Sequence, residues 1–156
     1  MTVAINTALS GRQGNEIGTA AQTSTKVMTN GDTIFTVVGD INIVSLVSKC
    51  ITTGTAAAST IQYQSAPTTG AAAAFTGASG SLVTAVAGSS VMAIAGQASA
   101  PVLVVSGANN NGTYPLAVYC PDGAIKIVIG TGPTTGTWQH SIRYQALSSG
   151  AYVIPS

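Results

Sequence analysis

Turn-forming residues punctuate this chain at short intervals, and that punctuation limits its fold more than anything else does. Asn30-Gly31-Asp32, Gly39-Asp40, Pro67-Thr68-Thr69-Gly70, Gly88-Ser89-Ser90, Pro121-Asp122-Gly123 and Ser148-Ser149-Gly150 each break an apolar run. Breaks about every 8–12 residues leave room for short strands and none for long helices. The runs between them are rich in Val, Ile, Thr and aromatic residues, the types that suit a pleated surface. The chain therefore reads as all-β, an antiparallel β-sandwich, with a jelly-roll-like wrap as one form it can take.

Individual runs sharpen this reading. Residues 33–38 and 41–47 form two strands, the second extending toward Thr52, and residues 38–41 look like a tight hairpin connection between them. Residues 60–64 alternate apolar and polar, as a half-buried strand does. Residues 71–74 are four alanines hemmed in by glycines, with space for at most one helical turn. Residues 82–86 and 91–95 read as short strands, and 102–105 as a strand buried on both faces. Residues 116–119, 124–129 and 151–154 complete the set, with 137–146 the clearest strand of all. Its alternation puts Trp138, His140, Ile142 and Tyr144 on one face and Gln139, Ser141, Arg143 and Gln145 on the other. Residues 1–29 lack a sustained period and read as an extended N-terminal arm, followed by a single domain over 30–156.

Composition narrows the function. The chain has 156 residues, enough for one core and too few for two. Only 6% of them are charged and the net charge is +1. A nucleic-acid-binding protein needs a basic excess to displace counterions from phosphates, so that class is not expected. Apolar residues make up 46%, but no uninterrupted apolar stretch is longer than that of residues 71–75, far short of a spanning helix. The first twelve residues lack a basic start followed by an apolar block, so no signal peptide is expected and synthesis would be cytoplasmic. A surface of Thr, Ser, Ala, Gly, Asn and Gln with near-zero net charge favours association with copies of itself or with a larger lattice.

Residues able to do chemistry are scarce. His140 is the only histidine, and it falls on the apolar face of its strand, where packing beside Trp138 and Ile142 is the expected role. Cys50 and Cys120 have no C-x-x-C spacing, and with the four acids Glu16, Asp32, Asp40 and Asp122 they form no metal-ligand pattern. No metal or cofactor is expected. Both cysteines read as buried thiols, with one disulfide as the alternative. Gly77-Ala78-Ser79-Gly80 falls one residue short of a nucleophile elbow. Asp32, Asp40 and Asp122 each adjoin a glycine in a turn, where such side chains usually bond backbone. The chain is not expected to be an enzyme.

Residues 125–129 followed by 138–153 (WQHSIRYQALSSGAYV) resemble the ending of small tailed-bacteriophage virion proteins, with an aromatic-rich strand and a Gly-Ala turn. Residues 60–67 with the Ala/Gly/Thr-rich loop after them, and the strand pair around Gly39-Asp40, are similar to the same group. The resemblance implies a head decoration or cement protein, located on the virion surface. It would bind the major capsid protein, commonly as a homotrimer, and brace the shell. It supplies no site residues. From the residues themselves, the candidate contacts are Arg12, Glu16 and Lys26, the charged residues of the arm, and the polar row Gln139, Ser141, Arg143 and Gln145. The alternative reading is a head-fibre, tail or carbohydrate-binding adhesin component.

Overall fold

The computed structural model describes residues 18–54, 58–93, 99–104, 106, 117–130 and 136–156. These contain eleven strands: β1 (Thr19–Gln22), β2 (Thr33–Val38), β3 (Ile41–Thr52), β4 (Thr60–Pro67), β5 (Ala73–Ala74), β6 (Ser90–Met92), β7 (Val102–Val104), β8 (Val118–Cys120), β9 (Gly123–Gly130), β10 (Thr137–Ala146) and β11 (Tyr152–Pro155). They form two sheets with antiparallel pairing throughout. The first runs β1-β10-β3-β6-β7, and β8 shares the far edge of β3 with β6. The second runs β11-β2-β9-β4-β5. The expected β-sandwich is what the chain forms.

Three nested ladders join strands distant in sequence. β2 pairs with β11, β3 with β10 and β4 with β9, each pair nested inside the last. Successive pairs alternate between the second sheet and the first. This is a two-stranded ribbon folded back and forth across the core, a jelly-roll-like wrap. Such pairings are non-local, so each must gain enough buried apolar area to offset loop closure.

The buried side chains supply that area. Ile41, Ile43, Leu46, Trp138 and Ile142 from the first sheet face Phe35, Ile61, Tyr63, Ile125 and Ile127 from the second. Trp138 and Tyr63 are the largest fully enclosed side chains. The Tyr63 and Phe75 rings stack with centroids 6.3 Å apart. Two bulges, where the β10·β3 register shifts at Thr137/Trp138 and Arg143/Tyr144, keep both strands' apolar residues pointing inward despite the sheet's twist.

Several expectations are corrected. Residues 38–41 are not a hairpin: β2 lies in the second sheet and β3 in the first, so Gly39-Asp40 carries the chain across the sandwich. Its backbone bonds leave the turn. Gly39 N donates to Asp122 Oδ1 at 3.0 Å, Asp40 N donates to Ser148 Oγ at 2.8 Å, and Leu147 N donates to Asp40 O at 2.9 Å. Gly39 adopts φ +73°, and a Cβ there would stand 2.6 Å from Ser148 Oγ, so the turn needs glycine.

Residues 82–84 form a 3-10 turn rather than a strand, because the Ser81 hydroxyl accepts from Val83 N and closes a local cap. Residues 102–104 are half-buried at the edge of the first sheet, not enclosed on both faces. Residues 73–74 pair with β4 and are not helical. Residues 94 and 95 of the run expected over 91–95 lie outside the described residues.

The arm expected over 1–29 is described from Gly18 onward. From there it is part of the sandwich: β1 pairs with β10, Thr23 and Lys26 continue the backbone bonding to His140 and Trp138, and Met28 is buried. The physical reason is that the edge of β10 offers unpaired backbone groups, which a polar segment without periodicity can still satisfy.

Candidate functional site

β10 presents two very different rows. On its inner row, His140 has no exposed surface, and its Nδ1 lies 2.7 Å from Ser48 Oγ on β3. Ser48 Oγ in turn lies 2.7 Å from the Tyr63 hydroxyl on β4, in the opposite sheet. The direction that uses both hydroxyl hydrogens has Tyr63 donating to Ser48 and Ser48 donating to His140 Nδ1, which places the ring proton on Nε2. His140 Nε2 and Trp138 Nε1 are buried without a hydrogen-bond partner among the described residues. Burial, reinforced by the charge of Lys26, holds the imidazole pKa down at about 4, so the ring is neutral at pH 7. Burial also pushes the Tyr63 hydroxyl up. Ser48 and His140 are both fully enclosed, so this pair ties layers together and offers no approach for a substrate.

Two further polar contacts cross the gap between the sheets. Val153 N donates to the Tyr144 hydroxyl at 3.2 Å, and Ser65 Oγ lies 3.4 Å from Cys120 Sγ. Buried polar pairs of this kind fix the register of the two layers more than they add to stability. Cys50 and Cys120 are free and buried. Cys120 pairs with Ile41 at one end of β3, nine residues from Cys50, a separation of about 30 Å along a strand. A disulfide spans less than about 7 Å between Cα atoms, so these two cannot bridge. Burial raises the pKa of both thiols, which makes them poor nucleophiles.

The outer row holds the polar residues picked from sequence. Gln139, Ser141, Arg143 and Gln145 point away from the core, with Arg143 and Gln145 exposed. Their cross-strand partners on β3 are Lys49, Val47, Ser45 and Asn42. On the other side, β1 sets Ala20 beside Arg143 and Gln22 beside Ser141, and Gln22 Nε2 donates to Ser141 Oγ at 3.0 Å. Part of this face is a shallow depression of about 390 Å³, whose lining includes Ala20, Gln22, Ser45, Val47, Ser141 and Arg143. Lys49 stands beside Gln139, about 14 Å along the strand from Arg143. Among the described residues Lys49 and Arg143 are the cations of this face, and the Asp40 carboxylate lies beside Tyr119 at its β8 end.

The other candidates fall elsewhere. Arg12 and Glu16 lie outside the described residues. Lys26 is half-buried: it bridges to Trp138, and its Nζ donates to the Thr33 carbonyl at 3.2 Å, tying the edge of the first sheet to the second. It does not join the outer row. Ser45, Val47, Lys49 and Gln22 were missed in sequence. The alternation of 45–50 against Leu46, Ser48 and Cys50 carried the signal for three of them, but nothing local showed that β3 lies beside β10.

The described acids are all in turns. Asp32 Oδ2 accepts from Thr29 N at 2.9 Å. Asp122 accepts from Gly39 N and from the Thr68 hydroxyl, and these donors, Thr68 first, hold its pKa below the usual carboxylate range. Among the described residues no group of three or more His, Cys, Asp or Glu is arranged to hold a metal ion.

The chain matches no family model, no curated protein and no solved structure. Functional reasoning therefore starts from the faces described above.

Proposed function

We propose that this chain is a structural virion protein that binds the outer surface of a bacteriophage capsid and stabilises the shell. The observation that carries the reading is the outer face of the first sheet. It is broad and polar, carries the cations Lys49 and Arg143, and is backed by a core cross-tied between layers. A protein that reinforces a lattice needs a rigid body and a contact face whose modest affinity is multiplied by many copies. The phage-like ending of the sequence, 125–153, gives the reading its specific target. The partners are the major capsid protein and copies of this chain, with a homotrimer as the favoured assembly.

Density-gradient fractionation of a lysate containing the source particles tests it, with peptide mass spectrometry measuring this chain against the main shell protein. Co-migration with DNA-filled particles, at about one copy per shell subunit, is the expected result. Recovery only among free proteins at the top of the gradient overturns it.

A carbohydrate-binding fibre or adhesin component is the second reading. It is favoured by Tyr119 and Tyr152, both exposed on the turn-rich side of the sandwich, where rings can stack on sugars. Far fewer copies per particle would select it.

A further inference from the structure

We propose that this chain associates with itself head to tail, the end bearing Asp40 and Asp122 seating in the Arg143-lined depression of a second copy. The inference holds whether or not the assembly covers a shell.

Charge separation within the molecule is the first support. Lys49 and Arg143 stand along the outer face of the first sheet, while the Asp40 carboxylate lies beside Tyr119 at one end of that face. Two of the three described acids, Asp40 and Asp122, sit together at one end of the sandwich, linked through the Gly39 N–H. The neighbouring turns at that end, 68–72 and 147–151, contain no Lys or Arg. Arg143 stands apart from this end along its own strand. It lies three residues along β10 from Ala146, the partner of Ile41, which is about 10 Å of strand. The donors on Asp122 keep that carboxylate ionised.

Apolar surface is the second support. Leu147 is 56% exposed and its N–H bonds the Asp40 carbonyl, while Tyr119, 61% exposed, has its hydroxyl beside the Asp40 carboxylate. Asp40 is thus flanked by two large exposed side chains. The depression has the complementary make-up, with apolar Val47 and Ala20 in its lining beside a guanidinium and two hydroxyls. In such a contact the charges set orientation and salt dependence, and the apolar groups supply most of the affinity. Because the two surfaces differ, the contact is heterologous. It closes into a ring if the rotation per copy allows and otherwise forms a filament.

The test is sedimentation velocity on the full chain over a concentration series at low and high salt, with thermal unfolding to check that each variant is folded. Wild type is expected to associate, and more strongly at low salt. Arg143→Glu and Asp40→Lys are each expected to raise the dissociation constant at least about tenfold, and their combination to recover most of the loss. Leu147→Ser reports on the same end if Asp40→Lys does not fold, and is expected to weaken association likewise. Three results overturn the proposal. These are a wild-type chain that stays monomeric at about 100 μM in low salt, folded single variants that associate like wild type, or a double variant as dissociated as the single ones.

Discussion

The two rows of β10 share one backbone and almost nothing else. Trp138, His140, Ile142 and Tyr144 are each at most 5% exposed, and two of them bond to other strands through their side chains. Gln139, Ser141, Arg143 and Gln145 are half-buried or exposed, and their side-chain bonds, of Ser141 with Gln22 and of Gln139 with the Thr23 carbonyl, run only to the neighbouring edge segment. The inner row is specified by what it must fit against in the facing sheet. The outer row is free of that constraint, so its polar, cationic character has to be explained by what it meets outside the chain. Substitutions should therefore separate the rows cleanly, with inner changes costing stability and outer ones costing association.

Trp138→Ala tests the inner row hardest. Removing the largest enclosed ring should cost about 3–5 kcal/mol in urea unfolding, through lost burial and the cavity left behind. A loss under about 1 kcal/mol would mean that the layer relaxes far more than its cross-ties suggest.

Acid is the next largest perturbation. The folded His140 pKa, about 4, lies below its ordinary value of 6.5, so the unfolded chain binds the proton more readily. The stability this ring allows is fully present above pH 6.5 and declines as pH falls through that window, by about 3 kcal/mol at pH 4. Asp122, with its lowered pKa, loses its stabilising bonds only at still lower pH. Unfolding midpoints between pH 7.5 and 4 should show the decline, and His140→Gln, which cannot titrate, should flatten it. A wild-type curve flat across the window would contradict the buried neutral ring.

Ser48→Ala is a smaller cut in the same network. It leaves the Tyr63 hydroxyl and His140 Nδ1 without their shared partner, a cost of about 1–3 kcal/mol by urea denaturation. Arg143→Ala on the outer row should move stability by no more than about 0.5 kcal/mol while weakening association. A stability loss as large as that of Ser48→Ala would erase the contrast between the rows. The smallest effect belongs to reductant: with Cys50 and Cys120 too far apart to bridge, dithiothreitol should leave the melting temperature unchanged.

Both rows were legible in the sequence. The period of two in 137–146 assigned all eight side chains to their faces, because a strand with one buried side cannot slip by a residue without inverting its core. The same alternation placed 60–64, and β-branched runs between turn signals placed 33–38 and 124–129. Such signals failed where a local preference had two outcomes. Gly39-Asp40 suits a hairpin and a crossing between sheets equally well, and the donors and acceptors that decided for a crossing come from Asp122, Leu147 and Ser148, more than 80 residues away. Leu82, Val83 and Val86 looked like a strand, but Ser81 capped a 3-10 turn and Leu82 N found the Ser59 carbonyl. Of the candidate contact face, only the β10 row could be seen. Lys49, Ser45 and Gln22 reach it from strands 90 to 119 residues away in the pairing.

The amino-acid sequence alone determined that this chain is all-β, that it has one core, and which side of its strongest strands is buried. Those properties follow from local periodicity and turn chemistry, which act over a few residues. Tertiary structure decided which sheet each strand joins, that residues 19–22 complete the edge of a sheet, and that scattered polar residues share one face. Backbone pairing is indifferent to sequence distance: any strand edge can accept any other, and the choice is made by how the whole set of apolar faces closes over one core.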